Sequence, residues 1–160
     1  MYVDSNLVLA TSDDMRASSQ TPIVGGFLYV SDTVDLGTGS KGLPFQHAFL
    51  RITCDVAFNA ITPPCLVTVR LISGDLDSTL LTDLALGSFS QHYQTETSST
   101  VWTAGFTVVN VPIPATHPGY QRYLGVALIF SGDGLDDGTA SILINMNPNE
   151  NRPMVDALPS

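Results

Sequence analysis

The sequence predicts an all-β domain, an antiparallel β-sandwich of the jelly-roll type, and three observations lead there. Of its 160 residues one is Lys (Lys41) and two are Glu (Glu96 and Glu150), whereas Ser and Thr supply 31. Exposed helix faces are normally built from Lys and Glu, so this chain has little with which to build one, while Thr and Val suit a pleated, half-buried surface. Several runs alternate apolar and polar residues with the period of two that a strand requires. Between them 13 Gly and 10 Pro punctuate the chain at short intervals. That spacing fits roughly seven to nine short strands in a Greek-key or jelly-roll sandwich.

In chain order, strand signals occur first at Asn6 to Thr11, Gly26 to Ser31 and Thr33 to Leu36. The stretch 47–58, HAFLRITCDVAF, alternates cleanly: Ala48, Leu50, Ile52, Cys54, Val56 and Phe58 share one face, with Phe49, Arg51, Thr53 and Asp55 on the other. It reads as a half-buried strand. A break at Ile61-Thr62-Pro63-Pro64, which no ladder accepts, precedes Cys65 to Ser73, where Val67, Val69 and Leu71 point inward and Thr68 and Arg70 outward. A further signal spans Thr79 to Ser88. The run starting at Gly105 is strongly β but meets Pro112 and Pro114, which lack the donor of a central strand, so it should lie at a sheet edge or finish there.

In 121–131, QRYLGVALIFS, the core face carries Leu124, Val126, Leu128 and Phe130, and the opposite face holds Tyr123, Ala127 and Ile129. A strand covered on both sides is a central one. The turn Gly132 to Gly138 leads into TASILINMN, with Ala140, Ile142, Ile144 and Met146 on one face, and the two segments read as a hairpin. Stretches 1–20, 87–104 and 147–160 are polar or punctuated and read as non-core. The organisation is therefore a single domain over 1–160 with polar N-terminal (about 1–20) and C-terminal (about 147–160) extensions.

Six Lys and Arg against fifteen Asp and Glu give a net charge of -9. The cations are scattered, so a phosphate backbone is repelled and nucleic acid is not an expected partner. No apolar run approaches the roughly 20 residues of a membrane span, and the N-terminus has neither a basic nor a long apolar leader segment, which predicts a soluble chain without an export signal. Protein interfaces are poor in Lys and Glu, as this chain is, although an all-β domain that clothes its outer faces in Thr and Ser shows the same shortage.

Catalytic and metal chemistry find little footing. His47, His92 and His117 have no mutual spacing that lets one strand or helix hold a metal, and no embedded nucleophile, phosphate loop or Cys-x-x-Cys occurs. No enzyme activity and no cofactor are expected. Asp133, Asp136 and Asp137 on a Gly-rich loop, with Asp75 and Asp77 as a second acidic turn, could offer oxygen to calcium, but the alternation and closing Glu of a helix-loop-helix site are missing, and Asp-Gly turns need no metal. Cys54 and Cys65, if their strands paired as a hairpin, would lie diagonally and beyond the roughly 7 Å Cα limit for a disulfide, which predicts buried free thiols. Strands sent to opposite sheets would remove that register argument. Trp102, Tyr93 and Phe106, with Tyr120 and Tyr123, fall in segments read as loop or outward-facing. Such aromatics are either binding anchors or the satellite cluster of a connection that buries its own Trp.

The blocks AFLRITCDVAF, VTVRLISG, a segment ending VNVPIP, GYQRYLGVALIFSG and GTASILINMNP follow one another in an order that resembles the capsid cement (decoration) proteins of short-tailed bacteriophages of the Bordetella-phage type. The resemblance runs from about residue 30 onward and includes Tyr120, Arg122 and Tyr123 before the central strand, while 87–104 and the tail after Asn147 have no match in it. It implies a jelly-roll protein on the outer surface of an icosahedral head, made in the host cytoplasm. The implied partners are the major capsid protein and further copies of the chain, as a homodimer or else a trimer, with no membrane involved. Residues expected at the protein interface are Trp102, Tyr93, Tyr120, Arg122 and Tyr123. The competing expectation is a calcium- or carbohydrate-binding sandwich, such as a phage adhesion domain.

Overall fold

The computed structural model describes residues 6–36, 43, 48–75, 82–84, 91–94, 102–114 and 120–145. Among them are eleven strands: β1 (Asn6–Asp14), β2 (Thr21–Ile23), β3 (Gly26–Val30), β4 (Val34–Asp35), β5 (Ala48–Ala60), β6 (Cys65–Gly74), β7 (Thr82–Leu84), β8 (Gln91–Gln94), β9 (Phe106–Ile113), β10 (Tyr123–Ser131) and β11 (Leu135–Asn145). They form a four-stranded sheet of order β1-β11-β5-β9 and a seven-stranded sheet of order β2-β3-β10-β6-β7, in which β4 also pairs with β10 and β8 with β6. Every pairing is antiparallel. The two apolar inner faces close on each other as a sandwich.

The alternation in β5 decides its inner face: Leu50, Ile52, Cys54 and Phe58 are fully buried. Val56 departs from its expected side and is 41% exposed. The cause is a register shift on each side of it, between Cys54 and Val56 and again between Val56 and Asn59, against Thr139 of β11. One extra residue turns the side chains over and the second turns them back. In β6, Cys65, Val67, Val69 and Leu71 are buried as expected; β9 takes the sheet edge that its prolines demand, and β10 runs between β3 and β6.

Two expectations are corrected. Strands β10 and β11 do not make a hairpin, because β5, β9 and β11 belong to the four-stranded sheet and β6 and β10 to the seven-stranded one, so the chain crosses between sheets from β10 to β11. An Asp- and Gly-rich turn between alternating runs serves a hairpin and a sheet-crossing loop equally well. The crossing loop is tightly packed: Gly134 (φ +76) sits where a Cβ would come 2.9 Å from the Phe27 ring and 3.1 Å from Cβ of Ala17. Residues 6–20 are likewise no polar extension. β1 pairs with β11 along the sheet edge, and Leu9 and Met15 are fully buried. Irregular register between Val8 and Ala10 and between Ala10 and Asp13 breaks its alternation, which is why its apolar residues carry no clean period. The expected C-terminal extension at 147–160 lies outside the described residues.

Cys54 lies in the four-stranded sheet and Cys65 in the other, so their strands do not pair; both are free and buried. At the centre Phe58 stacks on Trp102, with ring centroids 4.5 Å apart and planes 6° from parallel, and meets Phe130 edge-on at 6.0 Å.

Candidate functional site

Of the five residues expected at an interface, two are core residues. Trp102 has no exposed surface; its ring stacks on Phe58, and its carbonyl accepts the Phe58 amide at 2.9 Å. Just before β9 the chain thus places its Trp in the main core, where the ring contributes a large apolar area. Tyr120 is equally enclosed, donating its hydroxyl to the Pro114 carbonyl at 2.6 Å, with burial pushing the phenol up to about 12. Neither can anchor a partner from this position.

Arg122 and Tyr123 do reach the surface, where β10 begins. The Arg122 guanidinium grips Asp35 of β4 through Nε to Oδ1 at 3.0 Å and Nη2 to Oδ2 at 2.8 Å, and lies 5.1 Å from the centre of the Tyr123 ring. Both charged side chains are more than 40% exposed, so the pair positions β4 against β10 while contributing little energy. Tyr93 lies on β8, opposite Leu66, and its side chain is outside the described part of the structure. The side chain of His92 is likewise undescribed, and His47, His117 and Asp77 fall in undescribed segments.

The acidic loop is split by the fold. Asp133 occupies the turn, while Asp136 and Asp137 open β11 as exposed residues, and Asp137 Oδ1 accepts the Gly138 amide at 2.9 Å. Among the described residues no three His, Cys, Asp or Glu side chains gather as a metal-holding group.

Sequence reasoning missed two surface features. The first is an apolar set at one end of the sandwich. Val24 at the β2–β3 turn is fully exposed at 104%, Ile23 beside it at 38%, and Ile61 after β5 at 50%. Backbone hydrogen bonds tie their turns together: the Gly132 amide donates to the Gly25 carbonyl at 2.9 Å, and the Ile61 amide to the Gly134 carbonyl at 3.1 Å. The signal was present in PIVGG and ITPP, where Gly and Pro mark turns but the flanking residues are aliphatic instead of polar.

The second is a cleft of about 380 Å³ between β1 and the β2–β3 edge, lined by Asp13, Asp14, Gln20, Thr21 and Tyr29 among others. Tyr29 donates its hydroxyl to Asp13 Oδ2 at 2.6 Å, and burial with the Asp13 charge raises its pKa. Arg16 holds Asp14 bidentately, Nε to Oδ1 at 3.0 Å and Nη2 to Oδ2 at 2.7 Å, keeping that carboxyl well below the usual carboxylate range. Gln20 donates Nε2 to the Asp14 carbonyl at 2.8 Å, which leaves its Oε1 as a buried acceptor without a partner. No protein-family model matches the chain, and no curated protein matches it.

Proposed function

We propose that the protein is a structural virion component of the jelly-roll type, a decoration protein that binds the outer surface of a phage head and stabilises it by bridging subunits of the major capsid protein. It acts without catalysis or cofactor, assembles with further copies of itself as a homodimer, and reaches the capsid from the host cytoplasm. The observation that carries this reading is where the resembling blocks fall. AFLRITCDVAF, VTVRLISG, VNVPIP, YLGVALIFS and TASILIN fall on β5, β6, β9, β10 and β11, strands of 8 to 13 residues that make up most of both sheets. A stiff two-sheet body suits a clamp, since little conformational entropy is lost when it docks. A shell also repeats each contact many times, so linked modest interfaces hold firmly.

Incubating purified protein with heads that lack it, then following release of packaged DNA on heating, tests the reading. Saturable binding and a raised disruption temperature are expected. Failure to bind, or binding without any rise, refutes it. The Asp13–Gln20 cleft favours a second reading, a carbohydrate-binding sandwich, because the free Gln20 acceptor suits a sugar hydroxyl. Titration with a panel of bacterial surface glycans distinguishes the two.

A further inference from the structure

We infer that the loop end of the sandwich is the surface that docks on the capsid protein, with Val24 and Ile61 entering an apolar depression whose rim is rich in Lys or Arg; the inference rests on the decoration reading above. Three properties of this end support it. Its aliphatic side chains are exposed: Ile23 at 38%, Ile61 at 50% and Val24 at 104%, the last with no apolar cover from its own chain. Apolar residues at a turn cost solubility and do nothing for the core, so their energetic return comes when a partner covers them. The turns are also pre-organised, because the Gly25–Gly132 and Gly134–Ile61 hydrogen bonds lock the three connections into one unit. Ordering entropy is therefore spent on folding and not on binding.

Charge selects the kind of partner. Asp133, Asp136 and Asp137 are exposed around the same end, and Arg16, whose charge senses Asp136 and Asp137, is engaged by Asp14. An aliphatic tip inside an acidic rim, on a chain of net charge -9, is repelled by anionic lipid and complements a basic-rimmed protein surface.

Binding of Val24→Ser and of the Val24→Ser/Ile61→Ser double variant to heads lacking the protein is the test, with Val8→Ser as the control. Val8 is 53% exposed but lies on β1 opposite Leu143, well along β11 from the loop end where that strand begins at Leu135. All three positions are exposed, and thermal melting confirms that each variant is folded. The loop-end variants are expected to bind roughly thirty-fold more weakly or worse, and Val8→Ser to bind as the parent does. Asp133→Lys/Asp136→Lys is expected to slow association, and raising salt from about 50 mM to about 500 mM to erase that difference. If the parent binds heads and the loop-end variants bind equally well, the inference falls while the decoration reading stands. Equal loss with Val8→Ser also overturns it, as does a changed oligomeric state in Val24→Ser by sedimentation, or Val24-dependent binding to phosphatidylserine vesicles. Should the parent itself not bind heads, it is the decoration reading that fails.

Discussion

Phe58 holds the two sheets together through its neighbours. It stacks on Trp102, meets Phe130 of the opposite sheet edge-on, and lies over Gly138, where an added Cβ would come 2.5 Å from its Cδ1 and where φ is +144. Removing either ring of the stack leaves a cavity that neighbouring strands cannot collapse into. Trp102→Ala and Phe58→Ala should therefore each cost roughly 3–5 kcal/mol, against at most about 1 kcal/mol for Arg122→Ala, whose ion pair with Asp35 is solvent-screened. Urea unfolding at neutral pH checks the order. An Arg122→Ala effect as large as that of Trp102→Ala would show that the β4–β10 pairing carries more of the stability than the aromatic stack. Trp102 also marks a limit of sequence reading. Its Ser- and Thr-rich surroundings say loop, and they say nothing about a ring 44 positions earlier in the chain on which it stacks.

Period-two patterning is legible wherever a strand keeps regular register, and is lost where a bulge interrupts it. β5, β6 and β10 follow their predicted faces over most of their length because one face meets the core continuously. Val56 does not, and β1 offers no clean period from which to predict a face, since register shifts in both places interrupt the alternation without any residue type that announces them. Sheet membership was illegible for another reason: alternation fixes which side of a strand is buried, not which sheet it joins. Three substitutions separate these levels. Ile52→Ala should cost roughly 2–5 kcal/mol, Leu9→Ala should cost about as much because Leu9 is also fully buried, and Arg51→Ala, outward and bonded to Thr107 Oγ1 at 3.0 Å, should cost about 1 kcal/mol. Chemical denaturation of the three variants measures this. A neutral Leu9→Ala would return β1 to the status of a dispensable extension, and an Arg51→Ala effect exceeding that of Ile52→Ala would invert the assigned core face.

Over the whole molecule, burial of neutral titratable groups in both sheets links stability to alkaline pH. Cys54 in the four-stranded sheet has its thiol pushed from 9.0 to about 11, chiefly by burial, and Tyr120 is pushed from 10.0 to about 12 for the same reason. Tyr29 in the seven-stranded sheet is raised further, by burial and then by its hydrogen bond to Asp13. Each of these groups binds its proton more tightly folded than unfolded. Below the unfolded value both states are protonated and the stability is complete; above it the unfolded chain ionises first, and stability falls until the folded value is reached. The Cys54 contribution is therefore lost between pH 9 and about 11, and that of Tyr120 between pH 10 and about 12. A shift of this size corresponds to roughly 2–3 kcal/mol per group. On the acid side Asp14, held low by Arg16, works in the opposite sense, its contribution falling away as pH drops below 3.8, but it lies at the surface and its effect is small. The protein should hence tolerate mild acid better than alkali. Unfolding free energies measured from pH 7 to 11 should decline from about pH 9 onward. Cys54→Ala should flatten the first part of the decline, and Tyr120→Phe the part above pH 10. A curve that stays level to pH 11 in the parent protein would mean that these groups ionise within the fold, and that the two sheets pack less closely around Cys54 and Tyr120 than their complete burial requires.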